Sequence, residues 1–82
     1  MTPADQGLLL VTTDDCHLCE RARDVLATLE IEAREVAIDS DEARSLARRG
    51  LSLAFLPVLT DGARAIAYGR FSERHLRREL GL

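Results

Sequence analysis

Polar and apolar positions along the chain change period several times, and each change marks an element. Leu8-Leu9-Leu10-Val11 is an unbroken apolar run, the pattern of a strand buried on both faces. A short polar stretch from Thr12 to Asp15 follows. From Cys19 onward the apolar residues Cys19, Ala22, Val25, Leu26 and Leu29 recur at helical spacing. Ala33-Arg34-Glu35-Val36-Ala37-Ile38 reads as a second, less regular strand. A helix joins the two strands, so they are expected to lie parallel with a right-handed crossover. Asp39-Ser40-Asp41 supplies capping residues for a second helix over Glu42 to Arg49. Its apolar face is Ala43, Leu46 and Ala47, and Gly50 is a natural stop.

Pro57-Val58-Leu59-Thr60 and Arg64-Ala65-Ile66-Ala67-Tyr68 flank Asp61-Gly62, a strong hairpin signal. Gly69 breaks the second of these strands. A last helix is predicted from Ser72 to Leu80, with Ser72 as N-cap and Phe71, His75, Leu76 and Leu80 turned inward. The element order is β-α-β-α-β-β-α. It predicts an α/β fold, a four-stranded mixed sheet with three helices on its faces. The order is compatible with a thioredoxin-type fold. With no repeat, low-complexity segment or linker in 82 residues, the expectation is one domain over residues 1–82.

Composition narrows the function classes. The apolar fraction of 46% suits a soluble globular chain. No apolar stretch approaches the ~20 residues of a membrane span, so no membrane partner is expected. Met1-Thr2-Pro3-Ala4-Asp5 offers no basic region before the apolar run, so no secretory signal is expected. Two cysteines are too few for a secreted disulfide scaffold, and the chain reads as cytoplasmic. A net charge of −3 argues against nucleic acid as the main partner. All eleven basic residues are arginine, which is most simply compositional bias.

The one chemically loaded motif is Cys16-His17-Leu18-Cys19, lying between the first strand and the first helix. That places Cys16 at a helix N-terminus, where unpaired N–H groups and the dipole favour a negative charge. A thiolate is such a charge, and it is the reactive form of the side chain. Structural zinc needs four ligands, usually two such pairs. Here there is no second pair, and the only other soft or borderline ligands are His17 and His75. Strand, loop, CxxC and helix in that order favour a redox pair and no metal.

With these motifs in place the chain resembles a known group. Thr12 to Glu20, Leu56-Pro57-Val58-Leu59 and Tyr68-Gly69-Arg70-Phe71 look like the three active-site segments of glutaredoxin-like proteins. The likeness is in particular to the small bacterial glutaredoxin-like family that carries Cys-His-Leu-Cys, and it spans Leu8 to Leu80. From the residues alone Pro57 is an edge-strand start, since X–Pro bonds are cis only ~5–6% of the time. The resemblance instead implies a cis Pro57 facing the cysteines, with the backbone of Leu56 pairing with substrate. It also implies Cys16 as nucleophile, Cys19 as resolving thiol, and Gly69 and Arg70 beside the bound substrate. Tyr68 would lie near the cysteines under that layout, although strand-end packing explains it equally well.

Charges around Cys16 pull both ways. A protonated His17 would favour its thiolate, whereas Asp14 and Asp15 would oppose it unless one of them caps the helix. Those aspartates also depart from glutathione-using glutaredoxins, which carry a lysine shortly before the first cysteine. This chain has none, and the usual Gly-Gly before the last helix is Gly69-Arg70. Ser72 and Glu73 stand near the positions that would hold the other end of glutathione. An acidic rim weakens binding of that anion, and Arg70 compensates in part. The arginines Arg70, Arg74, Arg77 and Arg78 read as a solvated helix face, or else as a docking patch for an acidic protein.

The expected function is therefore thiol–disulfide oxidoreduction on protein or small-molecule disulfides by a monomer. No cofactor is expected beyond glutathione as a co-substrate, and electrons would come from glutathione or a thioredoxin system. Two alternatives stand beside it. One is a non-enzymatic module holding a metal or iron–sulfur cluster across a dimer, and the other is a fold-only interaction protein.

Overall fold

Seven elements follow one another in the computed structural model, which describes residues 7–82. The segment Met1–Asp5, on which the reading of no secretory signal rests, lies outside the described residues. The elements are β1 (Leu9–Thr12), α1 (His17–Thr28), β2 (Arg34–Ala37), α2 (Asp41–Arg48), β3 (Val58–Thr60), β4 (Ala65–Tyr68) and α3 (Glu73–Leu80). The four strands form one mixed sheet in the order β2-β1-β3-β4. β1 runs parallel to β2 and antiparallel to β3, and β3 and β4 make an antiparallel hairpin. The α/β class, the mixed sheet and the three helices are as the hydrophobic pattern predicts. Among the described residues no helix is long and apolar enough to cross a membrane.

Side chains of the central strands alternate between two cores. Leu10, Leu59 and Ala67 pack on one face with Ala22 and Leu26 of α1 and Leu76 of α3. Val11, Val36 and Val58 pack on the other with Ala43 and Leu46 of α2. Leu10 enters one core and Leu9 and Val11 the other, which is why β1 up to Thr12 reads as a continuous apolar run. The hairpin breaks the alternation once. Leu59 pairs with Ala67 and Thr60 with Ala65, so Ile66 is an extra residue. This bulge turns both Ile66 and Ala67 toward the α1–α3 core and leaves Ala65 on the α2 face.

Several local details differ from the sequence expectation. Ala47 is exposed, so the inner face of α2 is only Ala43 and Leu46. Its place is taken by Leu51, Leu53 and Leu56 of the following loop, which pack against that core. The hairpin loop is wider than Asp61-Gly62, running from Asp61 to Arg64. Asp61 Oδ1 accepts from the backbone N–H groups of Ala63 at 2.9 Å and Arg64 at 3.0 Å. Thr60 is wholly buried, yet its hydroxyl donates to Arg64 O at 2.6 Å and accepts from Gly62 N at 2.9 Å. The Leu56–Pro57 peptide bond is cis.

The topology fixes where the helices start. β1, β2 and β4 all point the same way, and each leads directly into a helix. All three helix N-termini therefore lie along a single edge of the sheet. Ser40 and Ser72 cap α2 and α3, accepting from the N–H groups of Ala43 and His75 at 3.2 and 3.1 Å.

Candidate active site

β1 leaves the sheet at Thr12, and the four residues from Thr13 to Cys16 carry the chain into α1. Asp15 adopts a left-handed conformation, φ 52°, which aspartate tolerates better than most residues. That turn delivers Cys16 in extended backbone, φ −117° and ψ 105°, as the N-cap of α1. Its Sγ accepts the N–H of Cys19 at 3.0 Å, the position a serine or aspartate oxygen usually takes. Neither Asp14 nor Asp15 caps the helix. Both are exposed, and the cap is the cysteine itself.

The two cysteines are placed unequally. Cys19 lies on the inner line of α1 with Ala22 and Leu26 and has no solvent exposure. Cys16 is half-buried at the sheet edge. The pair is joined as a disulfide with Cα atoms 5.2 Å apart.

The remaining candidate residues come from the other half of the sheet. Val11 pairs with Val58, so one residue further the cis Pro57 stands beside Thr12, at the exit of β1. Gly69 N–H donates to Pro57 O at 2.9 Å, closing the wall between β3 and β4. Gly69 has φ 69°, the left-handed region that favours glycine, and turns the chain toward α3. Leu56 is half-buried with its side chain in the α2-face core. Arg70 is exposed. Cys16, Cys19, Leu56, Pro57, Gly69 and Arg70 thus belong to one edge of the sheet.

His17 is exposed and opens onto a cleft between α1 and α3, shared with Glu20, Asp24 and Glu73. Ser72 spends its hydroxyl on the cap of α3. His75 is half-buried, its Nε2 3.3 Å from Ile66 O, and so ties α3 to β4. Among the described residues no three His, Cys, Asp or Glu side chains gather as metal ligands.

Two features of this edge are not evident from sequence. The first is a cluster on the β2 side. Glu35 accepts from Arg23 through both oxygens, at 2.7 and 2.8 Å, and Thr12 Oγ1 lies 3.4 Å from the second oxygen. The Arg23 hydrogen bonds, with their charge, hold the Glu35 carboxyl below its ordinary range. These residues line a cavity of about 250 Å³ with Thr13, Asp14 and Asp39. Arg23 falls one helical turn after Cys19, the only hint the sequence gives. The second feature is aromatic. Phe55 and Tyr68 are 67% and 61% exposed, yet their rings stack with centroids 6.2 Å apart. Tyr68 is thus no strand-end core residue, and Phe55 sits in a loop whose period predicts nothing.

In comparisons with protein-family models, with curated proteins and with solved structures, no match was found. The reading of this edge therefore rests on its own geometry.

Proposed function

We propose that the chain is a thiol–disulfide oxidoreductase of the glutaredoxin-like kind, with a thioredoxin-type fold, working in the cytoplasm. The observation that carries this is the unequal placement of the two sulfurs. One stands half-open as the cap of a helix, and the other is sealed beneath it one turn along. An N–H aimed at Cys16 Sγ, together with the helix dipole, stabilises negative charge on that sulfur when the pair is reduced. The wall of Leu56, Pro57 and Gly69 gives an incoming chain a surface beside it.

The reaction follows from that asymmetry. The Cys16 thiolate attacks one sulfur of a substrate disulfide, forming a mixed disulfide and expelling the other substrate sulfur as thiolate. Cys19 then loses its proton and attacks Cys16 Sγ. The second substrate thiolate leaves, and the protein keeps the Cys16–Cys19 disulfide. Two electrons have passed to the substrate, and a dithiol or two molecules of glutathione must return them. Protein disulfides and small mixed disulfides are both within reach of an open edge. The acidic loop Asp14-Asp15 and the absence of lysine weigh toward a protein dithiol as donor, because glutathione is an anion.

The decisive experiment equilibrates the protein in glutathione buffers and, separately, with thioredoxin, then counts free thiols by mass after trapping. A reversible two-thiol change in at least one system is expected. No intramolecular disulfide in either would overturn the reading. In the same assay, Cys19→Ser should accumulate a mixed disulfide with substrate, and Cys16→Ser should form none.

A further inference from the structure

The chain has only three aromatic residues, and two of them, Phe55 and Tyr68, are exposed and stacked on each other. Surface aromatics of this size are normally withdrawn into a core unless something else covers them. With Ser52 and Ala65 they line a cavity of about 200 Å³ on the α2 face of the sheet. α2 packs over Val36 and Val11 on that face, mainly against β2. The cavity has room for one bulky side chain.

Its place in the fold ties it to the cysteine edge. Phe55 lies two residues before Pro57, and Tyr68 pairs with Val58 and precedes Gly69, whose N–H is bonded to Pro57 O. A chain lying along the wall beside Cys16 would pass this cavity.

Charge completes the picture. Residues 1–42 hold eleven of the fourteen carboxylates and three arginines, whereas residues 43–82 hold three carboxylates and eight arginines. None of the three carboxylates in the second half lines this cavity. Asp61 is tied to the backbone of its own hairpin loop, Glu79 faces Arg64 at 3.7 Å, and Glu73 lies in the cleft with α1. Among the described residues Arg48, Arg49, Arg70, Arg74, Arg77 and Arg78 form no ion pair. Arg48 and Arg49 precede the loop that carries Ser52 and Phe55, and Arg70 follows Tyr68, whereas the other three project from α3 on the opposite face of the sheet.

We propose that the Phe55–Tyr68 cavity, with the free arginines Arg48, Arg49 and Arg70 that adjoin its lining in the chain, forms a docking surface for an acidic polypeptide segment, which seats one bulky apolar side chain against the stacked rings. This rests on the oxidoreductase reading only in making that segment part of the protein whose disulfide Cys16 attacks. Apolar anchorage supplies the affinity, and the arginines select the sign of charge and speed encounter.

The test has two arms. In the first, dye-labelled peptides without cysteine are titrated with the oxidised protein and binding is read by anisotropy. One peptide carries aspartates around a phenylalanine; others replace the aspartates by lysine, or the phenylalanine by glycine. A thymidine oligonucleotide is the polyanion control. The aspartate–phenylalanine peptide should bind about tenfold tighter than either relative and than the oligonucleotide, more weakly as salt rises. Phe55→Ala with Tyr68→Ala should lower that affinity by about tenfold, and Arg49→Glu with Arg70→Glu should abolish the preference over the lysine peptide. All four residues are exposed, so both variants should fold. Equal binding of acidic and basic peptides, indifference to the aromatic pair, or oligonucleotide binding as tight as the best peptide would each overturn the proposal.

The second arm uses reduced Cys19→Ser protein and the same peptides bearing a cysteine capped by thionitrobenzoate. Attack by Cys16 forms the peptide mixed disulfide and releases coloured thionitrobenzoate. Its rate is divided by that with dipyridyl disulfide, so that any general effect on Cys16 cancels. A normalised rate about tenfold higher for the acidic anchored peptide supports the proposal, and equal rates overturn it. No release from any probe, with selective binding retained in the first arm, would overturn the oxidoreductase reading and leave the docking surface standing.

Discussion

Cys16 plays two parts that are usually given to different residues. As N-cap it satisfies a backbone N–H of its own helix, and as thiol it is the exposed member of the pair. Replacing it with serine should keep the cap and remove the chemistry, so Cys16→Ser should fold with the stability of the reduced wild type, read by urea midpoint. Cys16→Ala removes both and should cost about 1 kcal/mol relative to the serine variant. The Glu35 carboxyl gives a pH signature at the same scale. Its folded pKa is lowered by Arg23, so its contribution is present above the ordinary carboxylate range and lost as pH falls through the lowered value. Both partners are more than two-fifths exposed, which limits the pair to about 0.2–1 kcal/mol. Arg23→Met should therefore make the loss of urea stability between about pH 6 and pH 3 shallower by that amount.

At the scale of elements, α2 and α3 are eight residues each, too short to persist without capping and packing. α3 is held by the Ser72 cap, by Leu76 beneath it and by Phe71 just before it, both essentially without exposure. Leu76→Ala should cost ~2–5 kcal/mol, while Ser72→Ala should cost about 1, both measured by chemical denaturation. Several elements were legible from local rules alone. The β1 run, the serine caps and the α1 period needed nothing beyond the residues. Ala47 was not, because a short helix covers only as much of the sheet as its neighbours leave open, and Leu51, Leu53 and Leu56 fill that space. The bulge at Ile66 was hidden too, since it depends on how Thr60 and Ala65 pair across the hairpin.

For the whole molecule, the sheet order puts β1 and β3 in the middle and β2 and β4 at the margins. Amides of Leu10, Val11 and Leu59 should exchange slowest with deuterium, and those of β4 and of residues 49–57 should exchange faster, as NMR would record. The same order separates charge. The acidic first half supplies β2 and the loop before Cys16, and the arginine-rich second half supplies β4 and α3. An acidic partner approaching the arginine-rich side of this edge is attracted to it, so its association should slow as ionic strength rises.

By itself the sequence determined the order of elements, the two-sided burial of the first strand and the seat of Cys16 at a helix start. Each is a matter of periodicity or of neighbours within a few residues. Only the tertiary structure decided what shares that edge of the sheet, because Pro57 and Gly69 come to it through strand pairing across more than forty residues of chain. It likewise decided that Phe55 and Tyr68 meet in the open, whereas the apolar stripe of α1 already placed Cys19 on its inner line. Contacts between distant stretches of chain belong to the packed sheet, and no local pattern encodes them.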